Sequence, residues 1–305
     1  MSTIANLLHQ ASPVLLDGAM GTELDQRGVD VSLPLWSASA LTTAPEIIST
    51  IHQDYLAAGA QILTANTFRT TTYTYMRAGL SEQEARVAAQ RASEKAVALA
   101  RDACQKHTSQ YQLVAGSIAP IGDCYTPSDY PGRELAQRTY SELTLWLANA
   151  GVGLLLLETH INLEEAEIAL RMAGGTGLPV WISYLINRDL RLLGGTSLHE
   201  AVKTAEAEGA QGILINCVTL PVAKIGVEAL TNMTSLPFGV YANAGCSQPS
   251  IDGKIEDCVS DTEFASAACE WVKAGARIVG GCCGTTPQTI ALLRQELTPL
   301  ASTSS

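Results

Sequence analysis

The chain has 305 residues, 47% of them hydrophobic, and a formal net charge of −11. That apolar content is enough for a large buried core and excludes general disorder, while the acidic balance argues against a nucleic-acid partner, which needs a basic face. There is no run of about 18 apolar residues to cross a membrane. The N-terminal apolar stretch is broken at His9, Gln10 and Asp17 with no basic segment ahead of it, so a cytoplasmic chain with reduced thiols is expected.

In chain order, short runs rich in Val, Ile and Leu alternate with helical patterns, eight times over. The predicted strands are 14–17, 61–65, 113–117, 154–158, 180–184, 212–217, 238–242 and 277–280. Most lack polar alternation, as parallel strands buried on both faces do. The predicted helices are 45–58, 81–106, 134–150, 163–173, 198–208, 222–233, 262–274 and 287–297. Pro45 suits a first helical turn, and Gly59, Gly209 and Gly275 fall where a helix would turn left-handed before the next strand. Residues 298–305 are small and polar and are expected to fray. One (β/α)8 TIM barrel over 1–305 is the first expectation; a doubly wound open sheet is the alternative, because alternation alone does not show closure. Two long loops stand out, 119–133 and 243–260, and loops of that length on a compact barrel are more often functional than not.

In a barrel the active site lies at the C-terminal ends of the strands. Those ends carry Asp17-Gly18, Asn66-Thr67-Phe68, Ser117, Glu158-Thr159, Tyr184, Asn216-Cys217, Asn243 and Cys282-Cys283. Cys282 and Cys283 sit between glycines, a turn in which a mutual disulfide is hard to close but both sulfurs can meet one metal ion. Cys217, at the end of the sixth strand, faces the same mouth and is the predicted third ligand. As a lone residue it would read as a small buried side chain. A redox dithiol is the competing use of the pair, without the Cys-x-x-Cys spacing of thiol exchange. Cys104 and Cys269 fall in helical patterns and read as core; Cys258 has no partner at ligand spacing. Three thiolates on zinc leave one position open, which a thiol substrate would fill and where its pKa would drop. Asp17 and Glu158 are carboxylates at apolar strand ends, and each needs a cation or hydrogen-bond donors, a substrate ammonium or an internal partner. Gly18 allows close backbone approach, for a substrate carboxylate or simply for the turn. No G-x-G-x-x-G follows the first strand, so a dinucleotide is not suggested.

The runs LLDGAMGTEL (15–24), LWSASAL (35–41), AGAQILTANTF (58–68), VAGSIAP (114–120), LLLLET (154–159), INC (215–217) and GGCCGTTP (280–287) resemble the zinc-dependent homocysteine S-methyltransferase family. The resemblance covers about residues 12–297, and it is the ordered set that is specific. It implies a TIM barrel with zinc held by Cys217, Cys282 and Cys283 and completed by the sulfur of homocysteine. It implies an amino-acid pocket at Asp17, Gly18 and Glu158 with Asn66 and Thr67 beside it. Asn243 resembles a position that in some relatives fills the open zinc site before homocysteine arrives. The implied reaction is attack of the thiolate on the methyl group of a cationic donor.

The segment 35–37 is similar to the branch using S-methylmethionine or S-adenosylmethionine. The chain departs from that branch at Ala-Pro-Ile-Gly (119–122) and at Tyr-Ala-Asn-Ala-Gly-Cys (241–246). Betaine or dimethylsulfoniopropionate therefore stay open as donors. So does a corrinoid or folate partner protein, because 66–68 and 243–245 resemble the homocysteine module of the folate-dependent methionine synthases. Trp36, Phe68, Tyr73, Tyr75, Tyr125 and Tyr130 are candidates for cation–π contact with an onium donor, or ordinary packing residues. Selenohomocysteine or selenocysteine would serve as acceptor by the same chemistry. A monomer and a homo-oligomer both fit, with small molecules as the other partners.

Overall fold

The structure is a computed structural model describing residues 3–107, 112–247, 255 and 257–302. Its eight strands are β1 (Val14–Leu15), β2 (Ile62–Ala65), β3 (Leu113–Ile118), β4 (Leu154–His160), β5 (Val180–Tyr184), β6 (Gly212–Asn216), β7 (Phe238–Ala242) and β8 (Ile278–Gly281). The helices are α1 (Thr3–Leu8), α2 (Gly21–Gln26), α3 (Ala40–Thr43), α4 (Pro45–Ala58), α5 (Thr72–Arg77), α6 (Glu82–Lys106), α7 (Arg133–Ala150), α8 (Leu163–Gly174), α9 (Leu198–Ala207), α10 (Leu220–Met233), α11 (Asp261–Lys273) and α12 (Pro287–Ser302).

Neighbouring strands pair in parallel in the order β1-β8-β7-β6-β5-β4-β3-β2. A parallel bridge between Leu16 and Ile62 then joins β1 to β2, supported by Gln61 N to Leu15 O at 2.8 Å and Asp17 N to Ile62 O at 3.1 Å. The sheet is thus a closed barrel, and the open-sheet alternative is excluded.

Each strand is buried on both faces, and its residues alternate between two apolar clusters. Leu154 and Leu156 of β4 join the barrel interior, with Leu16, Ile62, Ala115, Trp181, Leu214 and Ile278; Leu155 and Leu157 join the layer under the helices. This is the period of two expected of strands. The outer layer is sealed by amphipathic helices. On α6 the buried face is small, Ala85, Ala89, Ala92, Ala96, Ala100 and Ala103, which lets a 25-residue helix lie close to the sheet. Its start is set by a capping box between Ser81 and Glu84. Gly59, Gly209 and Gly275 all carry positive φ, as expected of helix-ending glycines.

Four short helices, α1, α2, α3 and α5, are absent from the sequence reading, because six residues or fewer carry too little periodicity. α1 matters most for the fold, since Ile4 and Leu7 pack into the interior cluster and close one end of the barrel. α12 runs on to Ser302, so helix occupies most of the segment expected to fray; residues 303–305 lie outside the described residues. Among the described residues no helix is long and apolar enough to cross a membrane.

Candidate active site

Carried one step further, the inward series on the strands turns from apolar to polar. After Ile62 come Thr64 and Asn66, after Ala115 comes Ser117, after Leu156 comes Glu158, after Trp181 comes Ser183, and after Leu214 comes Asn216. The layer that would be core in a plain barrel is here a polar floor. Above it lies a cavity of about 100 Å³, with Asp17, Gly18, Asn66, Glu158, Cys217, Cys282 and Cys283 on its wall.

The three cysteines meet. Cys217 Sγ lies 3.3 Å from Cys282 Sγ and 4.0 Å from Cys283 Sγ. Zinc–thiolate bonds of about 2.3 Å in a tetrahedron place neighbouring sulfurs about 3.8 Å apart, so the observed spacings bracket what one zinc ion requires. Contact with Cys282, offset in part by Cys283, and then burial push the Cys217 thiol well above its ordinary range. Three such thiols do not ionise together unless a cation joins them, and a metal ion is the cation this cluster can hold.

The carboxylates are held differently. Asp17 accepts from Thr64 N at 2.7 Å and from Thr64 Oγ1 at 2.8 Å. Glu158 accepts from Ser117 Oγ, and from Tyr241 OH at 3.4 Å. Burial nevertheless dominates, pushing Asp17 up to about 8 and Glu158 up to about 7. Both are therefore poised to ionise when a cation arrives. Gly18 approaches Tyr55 and Thr285 so closely that a Cβ would lie 2.8 Å from both side-chain oxygens.

Thr159 and Cys217, the residues just after Glu158 and Asn216, take the left-handed conformation with φ 64° and 57°. That is costly for any residue other than glycine, and for a β-branched one especially. Asn216 holds the first turn and is itself the residue that leads into the second. Its Oδ1 accepts from Thr159 N at 3.0 Å and Ser183 Oγ at 2.7 Å, and its Nδ2 donates to Thr159 Oγ1 at 2.8 Å. One buried amide thus ties the end of β4 to the ends of β5 and β6.

Two expected wall residues are elsewhere. Thr67 is turned away, with its hydroxyl donating to Ser117 O at 2.8 Å. Asn243 lies behind the cysteine turn, its Oδ1 accepting from Cys283 N at 3.1 Å and its Nδ2 without a partner among the described residues. Asn66 is on the wall but engaged with Ser37 through both ends of its amide. Of the aromatic candidates, Trp36, Phe68 and Tyr125 line the cavity, and Tyr73, Tyr75 and Tyr130 do not. Tyr125 OH lies 3.2 Å from Cys217 Sγ. Thr64, Tyr241 and Cys124 also belong to the wall, and the sequence reading did not name them as site residues.

A family model described as homocysteine S-methyltransferase matches residues 14–297. The homocysteine S-methyltransferase of Escherichia coli K12 is 33% identical, over 94% of this chain and 96% of its own length. The selenocysteine Se-methyltransferase of Brassica oleracea var. italica is 29% identical over 93% of this chain and 88% of its own length. The metallated form of the E. coli homocysteine methyltransferase MmuM superposes with a TM-score of 0.84 at 30% identity, covering 96% of this chain and 99% of that one.

Proposed function

The chain belongs to the homocysteine S-methyltransferase family and is a methyltransferase, and on that premise we propose that it moves a methyl group from a cationic donor to the sulfur of homocysteine, forming methionine. The donors favoured are S-methylmethionine and S-adenosylmethionine. The observation that carries the reading is the meeting of three sulfurs and two raised-pKa carboxylates on one cavity wall.

Cys217, Cys282 and Cys283 would hold zinc, which when bound lowers the pKa of the acceptor thiol so that it reacts as thiolate at neutral pH. Asp17 and Glu158 receive the acceptor's ammonium, and their charge develops as that cation arrives. Gly18, which lines the cavity, would face the backbone end of the amino acid. Trp36, Phe68 and Tyr125, which line the cavity, would be the aromatic partners of the donor's positive charge. The acceptor sulfur forms a bond to the methyl carbon while the bond to the donor's sulfonium breaks. The electron pair of that bond stays on the leaving sulfur, which departs as a neutral thioether, so no general acid is required. With both partners held at reacting distance, much of the rate comes from positioning. A selenol acceptor would react in the same way, a reading supported by the selenocysteine methyltransferase among the relatives.

The test is turnover of the purified chain with homocysteine and each donor, alongside zinc analysis. About one zinc per chain and methionine formation abolished by chelation are expected. Full activity after chelation, or turnover only once a methylated corrinoid protein is added, would overturn the reading.

A further inference from the structure

The wall of the metal cavity is rich in acids and sulfurs, and Arg69 is the one Lys or Arg on it among the described residues. Arg69 follows Phe68 just beyond β2, and its plane is fixed. Nη1 donates to Gly122 O at 2.7 Å, and the guanidinium carbon lies 5.2 Å from the Phe68 ring centroid. Among the described residues no carboxylate forms an ion pair with it. Glu165 feels the charge of Arg69 but makes no ion pair with it, and its Oε1 accepts from Ile121 N and from Tyr140 OH, both at 2.8 Å. The Nε and Nη2 edge of Arg69 is left as a fork of donors with no acceptor among the described residues.

Arg69 and Leu33 also form part of a second cavity, of about 290 Å³, which touches neither Asp17, Glu158 nor any of the three cysteines. Its own acids are committed. Asp123 accepts from Tyr125 N and Thr126 Oγ1, and Asp129 accepts from Asp123 N and pairs with Arg77 at 3.5 Å. Arg69 therefore stands between the end of the site where the acceptor sits and an outer space walled by hydroxyls and engaged acids. A guanidinium edge with two free N–H groups matches the two oxygens of a carboxylate.

We propose that Arg69 binds the carboxylate of the methyl donor, whose tail lies toward the outer cavity, so that the chain selects onium donors that carry a carboxylate. The proposal rests on the methyl-transfer reading above. The onium group faces Trp36, Phe68 and Tyr125 while the carboxylate is drawn to Arg69, which aims the methyl group at the acceptor sulfur. An onium compound lacking the carboxylate would keep the first contact and lose the second.

The test compares donors that differ in that group alone, S-methylmethionine and its carboxamide, with the zinc-loaded chain at saturating homocysteine. The wild-type kcat/KM is expected to favour the carboxylate by about 10- to 100-fold, the range of a charge-assisted hydrogen-bonded pair. Arg69→Gln brings that ratio near one, with the loss in donor KM; Arg69→Lys, which keeps the charge but not the fork, falls between. Absence of the preference in the wild type, an equal loss for both donors in Arg69→Gln, or a rise in homocysteine KM in place of donor KM would overturn the proposal. Should Arg69→Gln fail to fold, the wild-type ratio against that of Arg69→Lys decides. Failure of the methyl-transfer reading itself would look different, with every donor inactive whether or not it carries a carboxylate.

Discussion

On the β1–β4 side of the mouth, each carboxylate is already clasped by the protein. Thr64 donates twice to Asp17, and Ser117 and Tyr241 hold Glu158. On the β6–β8 side, the sulfurs of Cys217, Cys282 and Cys283 cluster together, and the backbone of Cys283 is held by Asn243. The oxygen side is organised by hydrogen bonds from the chain, although burial still keeps both carboxyls raised. On the sulfur side the thiols are raised well above their ordinary range and would ionise together only around a cation, which the cluster could hold. Substrate recognition and metal retention should therefore be separable by mutation, except through residues that join the two sides, Asn216 and, from β7, Tyr241.

The largest effect should come from the sulfur side. Cys282→Ser is expected to empty the site of zinc and lower turnover by at least about a thousand-fold, several kcal/mol of lost activation, as read by metal analysis and methionine formation. Zinc retained at full stoichiometry would break the comparison. Glu158→Gln on the oxygen side keeps the size and loses the charge. Its expected signature is a homocysteine KM about 10- to 100-fold higher with zinc content unchanged.

Asn216→Ala strikes the joint. Releasing the strained turns at Thr159 and Cys217 should worsen zinc affinity and homocysteine KM together, by about tenfold. Leaving Thr159 N without its acceptor should also cost about 1–3 kcal/mol of stability, measured by denaturant unfolding. A change in one ligand alone would show the two sides to be independent there as well.

The smallest effect concerns pH. Burial raises Asp17 to about 8 and Glu158 to about 7, so both hold protons on the acid side of neutrality. An ammonium binds the ionised forms, so homocysteine KM should fall as pH rises from about 6 to about 8. The linked stability runs the other way. A carboxyl whose folded pKa is raised stabilises the fold at low pH, and that contribution fades as pH climbs from the unfolded value toward 8. Asp17→Asn should flatten the upper part of both curves, measured as KM and thermal midpoint against pH.

Much of this was legible in the residues. The eight apolar runs stand out because parallel strands buried on both faces need Val, Ile and Leu throughout. Cys217 was legible because a cysteine at a strand end gains meaning from a vicinal pair two units later. The same double burial hid the rest of the wall. With no polar alternation to mark the inward face, Thr64 and Tyr241 looked like ordinary strand residues, and Thr67 looked like a neighbour of Asn66 when the strand period puts it on the other face. Counting back by twos from Glu158 through Leu156 to Leu154 would have recovered the register. The closed barrel was the first expectation, but strand–helix alternation left an open sheet as the alternative; what excludes it, the bridge from Leu16 to Ile62, has no mark of its own in the residues.

The seam where β1 meets β8 has a bearing on how the molecule is made. Arg277, at the start of the last strand, binds the carbonyls of Leu8, Gln10 and Ala11, the last of these 266 positions earlier. Cys217 is separated from Cys282 by 65 positions. As the ribosome delivers the chain, α1 and β1 emerge before the other elements and wait longest, and the final two sulfurs of the cluster appear with the strand that shuts the ring. A polypeptide broken off before Arg277 would keep α1, β1 and Cys217 but lack the seam and two sulfurs of the three. An ion held by all three sulfurs can therefore be taken up only after the last strand has been made.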